Sequence, residues 1–325
     1  MEKKIFIYSC REDEKELLEE YARKWNLTLG YCAAQPVPDN AHLCAGYPCV
    51  SMVGTRLSDE TLLKFHELGV KLISTRSVGT EHINGAYAKE LGIQVANISY
   101  SPNSVADFAI MLMLMSLRKA KYILEHYKVR DYSLGQNQGR ELRNMKVGIL
   151  GAGHIGSTVI REISGFGCEI LVYGRHEREE IKKYATYASL DEIYKSCDLL
   201  SFHLPATPET YHMIHCENVM QLKKGVVIIN TSRGSLVDNK ALIKGIEAGV
   251  ISAAGLDVID HEPVLYNLNH KDALPTDQDL AVLESFPNVI ITPHTAFYTD
   301  QAVRDMIENT LYNCLHFLEL AVEYK

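Results

Sequence analysis

The chain has 325 residues, with 41 acidic against 33 basic side chains, a formal net charge of −8, and 46% hydrophobic and 23% charged content. At about 150 residues per domain this length predicts two domains around sizeable cores. The acidic balance argues against a nucleic-acid or anionic-membrane binder, since both require a basic face.

Near the N-terminus the apolar stretch from Ile5 to Tyr8 is short and acids follow it, unlike a secretory signal. The longest apolar run, residues 108–115, is far below the roughly 20 residues that span a bilayer. Eight scattered cysteines read as free thiols, and a cytoplasmic location is the expectation. His212 and His215 stand near Cys216, but no second half-site follows at zinc spacing, so no metal is expected.

In chain order, KIFIYS at 4–9 precedes the helical EDEKELLEEYARKW, and CVSMV at 49–53 precedes SDETLLKFHELG. Ser58 can cap that second helix and Gly69 can end it. KLIST at 71–75 and IQVAN at 93–97 flank a further helical stretch, which makes the βαβ rhythm of an open parallel sheet. From Ser101, SPNSVADFAIMLMLMSLRKAKYILEHYK predicts one long helix with Pro102 in its first turn. From Phe108 to Leu117 it is apolar nearly all round, so this helix should be buried between layers, domains or subunits. Its methionines, Met111, Met113 and Met115, read as core packing. SLGQNQGR at 133–140 reads as a connector. At Met145 a second rhythm begins, with strand-like KVGIL, CEILVY, DLLSFHLP, GVVIINTS, ISAAGLDV and NVIITPH. Six such segments with helices between them form a complete doubly wound unit. After Thr299 the apolar spacing is helical again. The fold class predicted is α/β, with two doubly wound parallel-sheet lobes.

Gly151, Gly153 and Gly156 spell G-x-G-x-x-G after the strand KVGIL and at the start of a helix that opens with His154 and Ile155. In that context the first glycine permits a tight turn, the second a close approach of a pyrophosphate, and the third the packing of helix on sheet. The helix start supplies free N–H groups and a favourable dipole for phosphate. The following strand, CEILVY, ends at Gly174 where an NAD site usually carries an acid, and Arg175 and Arg178 follow. A missing acid and an added base favour NADP(H), with NAD(H) possible; the alternative is that both arginines are solvated surface charges.

Three more segments follow strands of the second unit: INTSRGSLVD with Thr231 and Arg233, GLDVIDHEP with Asp257 and Glu262, and ITPHTAFY with His294. An arginine fork matches a carboxylate, a histidine donates a proton near neutral pH, and a neighbouring carboxylate favours its protonated form. Together they suit reduction of a 2-oxo acid.

These motifs, with STRSVGTEHI at 74–83 and SYSPNSVADFA at 99–109, resemble the D-2-hydroxyacid dehydrogenase family over nearly the whole chain. The stretch between Glu262 and Pro287, with HTAFYT, is similar to the D-lactate dehydrogenase branch, including its vancomycin-resistance type. The resemblance implies a flavodoxin-like substrate-binding lobe from residues 1–100 and 296–325, and a Rossmann dinucleotide lobe from residues 101–295. It implies that Arg233 binds the substrate carboxylate, that His294 protonates the carbonyl oxygen, and that Glu262 pairs with His294. It places the backbone N–H groups of Val78 and Gly79 on the carboxylate and Tyr100 in the pocket. It sets Asp257 by the nicotinamide and the His203–Pro205 turn along the cofactor. Met52 and Phe297 are expected as pocket walls or as plain core. Pyruvate is the expected substrate and a homodimer the expected assembly. Larger branched or aromatic 2-oxo acids are an alternative on the same scaffold. A dinucleotide-sensing co-repressor is the alternative of another class.

Overall fold

The computed structural model describes residues 3–53, 56–261 and 277–323. The chain divides into two compact units, residues 1–101 with 298–325, and residues 102–297.

Unit 1 contains β1 (Lys4–Ile7), α1 (Glu12–Trp25), β2 (Thr28–Tyr31), β3 (Cys49–Met52), α2 (Asp59–Glu67), β4 (Leu72–Thr75), α3 (Gly85–Glu90) and β5 (Gln94–Ala96), together with the C-terminal helix Asp300–Glu323. The five strands are parallel in the order β2-β1-β3-β4-β5, the flavodoxin-like arrangement. Strand alternation explains its two cores. Ile5 and Ile7 face a cluster with Leu18 of α1 and Ile307, Leu311 and Cys314 of the C-terminal helix. Phe6 and Tyr8 face Leu62 and Phe65 of α2 and Ala88 of α3. Ser58 caps α2 by accepting the N–H of Thr61. The edge strand β2 was not anticipated from sequence. Its four residues are at most half buried, and Gly30 is required because a Cβ there would lie 2.6 Å from the Phe6 ring.

Unit 2 begins with α4 (Asn103–Leu117) and α5 (Ala120–Lys128). It continues through β6 (Lys146–Leu150), α6 (His154–Ser164), β7 (Glu169–Tyr173), β8 (Thr186–Tyr187), α7 (Leu190–Ser196) and β9 (Leu199–Phe202). Then come β10 (Val226–Asn230), α8 (Asn239–Glu247), β11 (Ile251–Leu256), α9 (Gln278–Ser285) and β12 (Val289–Ile291), and the C-terminal helix of unit 1 is therefore α10. The sheet order is β12-β11-β10-β9-β6-β7-β8, all parallel. This is the Rossmann order extended by one strand, with its switch point between β6 and β9. All six expected strands form, and β8 adds a two-residue edge that is too short to show a pattern. The interior strand β10 is buried at every position, as a parallel sheet covered on both faces requires.

The single helix expected from Ser101 is two helices. Lys119 turns left-handed at φ 52. The chain breaks there because the N–H of Arg140 takes the Leu117 carbonyl at 2.9 Å, and Lys119 Nζ donates to the Gln136 carbonyl at 2.6 Å. Helix α4 packs on β10, β11 and α6. Gly255 of β11 admits it closely, since a Cβ there would lie 3.0 Å from the Leu112 Cβ. Met113 is core, whereas Met111 remains 39% exposed. Among the described residues no helix is long and apolar enough to cross a membrane.

Candidate active site

The glycine loop closes β6 onto α6. Gly151 has φ 105, a region that favours glycine, and a Cβ on it would lie 2.5 Å from the His203 carbonyl oxygen. On Gly156 a Cβ would overlap the Gly151 carbonyl. Gly153 is different: a Cβ there would meet nothing within 4 Å, so this side of the loop is open. Gly153 is also the N-cap of α6, and no side chain caps the N–H groups of the first turn. His154 is exposed at that turn, and Ile155 packs its side chain against the core beneath.

At the other side of the switch point, His203 follows β9. Its Nε2 is 2.9 Å from Ser201 Oγ, while Nδ1 is buried with no partner among the described residues. Burial of the ring pushes its pKa down to about 4, so His203 is neutral at pH 7. Pro205 is exposed at the end of this turn, and its carbonyl accepts Thr210 Oγ1 at 2.7 Å. Thr231, after β10, has a buried Oγ1 that is likewise unpartnered. An open glycine cradle at a helix start, with two orphaned polar atoms on the neighbouring strand ends, fits a dinucleotide. At the end of β7, Gly174 has room for a side chain, with no atom closer than 3.8 Å to a built Cβ, and Arg175 beside it is exposed.

Arg233, Asp257 and His294 stand at the carboxyl ends of three neighbouring strands, β10, β11 and β12. Two inter-strand spacings, about 10 Å, separate the outer pair of strands. Arg233 is set by its own loop: Asn230 Nδ2 donates to its carbonyl at 2.8 Å, and Arg233 Nη1 donates to the Ser232 carbonyl at 2.8 Å. A Cβ on Gly234 would overlap the Ile259 carbonyl, so this loop rests directly on the turn after β11.

Asp257 has no exposed surface. Its Oδ1 accepts Thr292 Oγ1 at 2.6 Å and the Thr295 N–H at 2.9 Å, and its Oδ2 accepts the Ala296 N–H at 2.8 Å. Its carbonyl accepts the N–H of His294 at 2.9 Å. Both carboxylate oxygens are thus turned to the loop that carries His294, which is left-handed at φ 53. Phe297 stands edge-on to the His294 ring, with 6.5 Å between centroids. Glu262, expected to pair with His294, lies outside the described residues.

In unit 1 the loop after β4 carries Val78 and Gly79. Their carbonyls are occupied, by Asn97 Nδ2 at 2.7 Å and by Ser77 Oγ at 2.6 Å. Among the described residues the two N–H groups have no acceptor, and Val78 is 46% exposed. Adjacent free N–H groups form an anion-binding concavity. Beneath it, Arg76 is buried and donates to Ser51 Oγ, to the carbonyls of Tyr8 and Ser9, and to Glu14. That buried pair closes the switch point between β1 and β3. It was not anticipated, because nothing local in the sequence pairs residues so far apart. Tyr100 is half-buried at the end of the unit. Met52, considered as a pocket wall, has no exposed surface and belongs to the core cluster with Tyr8, Leu57 and Phe65. The reason is that β3 is a central strand covered on both faces. Among the described residues no group of three His, Cys, Asp or Glu side chains could hold a metal ion.

A Rossmann sheet with an open glycine cradle at its switch point, and ionisable side chains on adjacent strand ends, defines a dinucleotide-dependent oxidoreductase. Comparison with known proteins narrows the class. Residues 110–296 match the D-isomer specific 2-hydroxyacid dehydrogenase family, NAD binding domain. The aromatic 2-oxoacid reductase of Clostridium sporogenes is 41% identical over 97% of this chain and 96% of that protein. The D-lactate dehydrogenase of Lactobacillus delbrueckii subsp. bulgaricus is 38% identical over 97% of this chain and 96% of that protein. Among solved structures, the NAD-complexed form of the D-isomer specific 2-hydroxyacid dehydrogenase from the latter organism superposes with a TM-score of 0.85, at 30% identity over 97% of each chain. The chain belongs to the D-isomer specific 2-hydroxyacid dehydrogenase family and is an NAD-dependent oxidoreductase.

Proposed function

We propose that this dehydrogenase reduces a small 2-oxo acid to the D-2-hydroxy acid, with pyruvate, giving D-lactate, as the preferred acid. The observation that carries the reading is the row of Arg233, Asp257 and His294 on adjacent strand ends of the dinucleotide sheet. When bound, the nicotinamide supplies the hydride that attacks the carbonyl carbon. Arg233 binds the substrate carboxylate through its planar fork and polarises the neighbouring ketone. The Val78 and Gly79 N–H groups of unit 1 are themselves suited to an anion such as a carboxylate. His294 donates a proton to the ketone oxygen as negative charge develops there. To Glu262, outside the described residues, we assign the pairing with His294 that the family resemblance implies, since a carboxylate partner favours a protonated imidazole. Asp257 positions the His294 loop, since both of its oxygens are spent on Thr292, Thr295 and Ala296.

With the carboxylate and ketone held, only the third substituent distinguishes one 2-oxo acid from another, and we assign Phe297, edge-on to the His294 ring, to its surroundings. An aromatic wall there favours a methyl group. A second reading, preference for aromatic 2-oxo acids, is favoured by the reductase that is 41% identical. For the cofactor, we propose that NADPH is used at least as well as NADH, because Gly174 offers no acid to repel a 2′-phosphate and the exposed Arg175 attracts one. A steady-state panel of pyruvate, 2-oxobutyrate, 2-oxoisocaproate and phenylpyruvate with each cofactor tests both choices. Each added methylene in an apolar pocket changes specificity by about 1–3 kcal/mol, so a graded series led by pyruvate is expected. A kcat/KM for phenylpyruvate above that for pyruvate selects the aromatic reading. Gly174→Asp should shift preference toward NADH, and a wild-type enzyme that turns over NADH but not NADPH would refute the cofactor assignment.

The proposed enzyme is a cytoplasmic homodimer. Leu124 and Tyr127 of α5 are 55% and 65% exposed, and Val129, Tyr132 and Leu134 just beyond are 75%, 72% and 87% exposed. A run of large apolar side chains in water marks an interface. Light scattering at micromolar concentration should give twice the chain mass, and a monomer would count against this surface being the contact.

A further inference from the structure

Unit 2 holds a second buried carboxylate that the reaction does not use. Asp260 is only 6% exposed. Its Oδ2 lies 2.7 Å from Nε2 of His212, and its Oδ1 accepts the His261 N–H at 3.1 Å. Its carbonyl accepts Asn239 Nδ2 at 3.3 Å. His212 has φ 47, a conformation that L-residues adopt only at a cost. Its backbone N–H donates to the Ser235 carbonyl at 2.8 Å, and the Tyr211 ring stacks on its imidazole at 3.8 Å. One histidine therefore joins two segments. Its backbone holds the segment that starts at Arg233, and its ring holds the turn after β11, two residues before Glu262 in the sequence. The same two segments touch where Gly234 meets the Ile259 carbonyl.

We propose that His212 and Asp260 are a positioning pair for 2-oxo acid binding, setting the Arg233 segment against the turn that leads to Glu262. The proposal rests on the reading of Arg233 as the ligand of the substrate carboxylate. Without His212, Asp260 keeps a buried charge whose remaining partners among the described residues are the His261 N–H and, at 3.7 Å, the exposed His261 ring, and such a group moves toward water. The Arg233 segment keeps the backbone bond through Ser235 but loses the fixed neighbour on which Gly234 rests. Binding of the oxo acid should suffer, whereas the glycine cradle at β6 lies on another part of the sheet and should not.

The test uses the full chain carrying Asp260→Asn, His212→Ala, His212→Gln, or the first two together. Steady-state kinetics with the fastest 2-oxo acid, NADH titration by fluorescence and melting temperature are the readouts. Asp260→Asn and His212→Ala are expected to raise the oxo-acid KM about tenfold with the NADH Kd within about twofold of wild type. His212→Gln, which keeps an N–H donor for Asp260, should recover most of the loss. The double variant should be no worse than the poorer single one, because the two residues act as a unit. If His212→Ala does not fold, the isosteric Asp260→Asn carries the test alone. A folded Asp260→Asn enzyme with an unchanged oxo-acid KM, or an NADH Kd that rises in step with KM, would overturn the proposal. A wild-type protein that turns over no 2-oxo acid would overturn the underlying reading and this one with it.

Discussion

His294→Ala is expected to lower kcat by about 10²–10⁴-fold while NADH still binds, the range that a positioned general acid contributes. As hydride reaches the carbonyl carbon, negative charge collects on the ketone oxygen, and an alkoxide is far too basic to leave unprotonated at neutral pH. Histidine is the side chain whose ordinary pKa suits that transfer. Phe297 shields one side of the ring, and the Asp257 carbonyl fixes the backbone N–H of residue 294. Alanine also tolerates the left-handed backbone at this position poorly, so His294→Asn is the better comparison, since asparagine adopts that conformation more readily. Both variants should lose turnover alike if the imidazole is the acid. Near-normal turnover in either one would remove His294 from the mechanism.

Asp257→Ala is expected to cost both stability and activity. The carboxylate has three donors; deleting it strands the N–H groups of Thr295 and Ala296, while Thr292 Oγ1 retains the Leu256 carbonyl at 3.5 Å. Each donor left without an acceptor costs about 1–3 kcal/mol, so a total of at least about 2 kcal/mol is expected, seen as a lower melting temperature. Asp257→Asn is the more informative variant. One of its oxygens becomes an NH₂ group that faces a backbone N–H, so the 292–296 loop must move. A displacement of about 1 Å at the reacting group can cost about 10²-fold in rate. Calorimetry and kcat on the same preparation separate the two effects. If Asp257→Asn keeps wild-type turnover, the assigned positioning role is wrong.

The strands that carry the site were legible because they obey local rules. β6, β9, β10, β11 and β12 are short apolar runs bounded by turn residues, and the G-x-G-x-x-G follows one of them directly. Gly151 and Gly156 could be read as obligatory, and the structure supplies the atoms that make them so, the carbonyls of His203 and of Gly151 itself. The motif NTSRG pointed to Arg233, but not to Asn230, whose amide holds the loop from behind. Asp257 was read as a neighbour of the cofactor, and its bonds to residues 292, 295 and 296 were invisible in the sequence. Lys119 lies inside the stretch that reads as one long helix, with no local signal for a break. Its left-handed turn depends on Gln136 and Arg140, which lie on the far side of a loop.

The sequence by itself determined the alternation of strand and helix, the two-lobed α/β class, the dinucleotide loop and the Arg233 and His294 motifs. Each of these is written within a window of a few to some twenty residues, where side-chain periodicity and backbone preference act without outside help. Tertiary structure alone decided the edge strands β2 and β8, the break between α4 and α5, and the enclosure of Met52. It also decided the buried pairs: Arg76 with Glu14 across 62 residues, His212 with Asp260 across 48, and Asp257 with Ala296 across 39. A buried charge or polar group must find its partner wherever the chain brings one, because leaving it unpaired away from water costs more than any local preference returns. That requirement chooses partners by proximity in space, which only the folded sheet supplies.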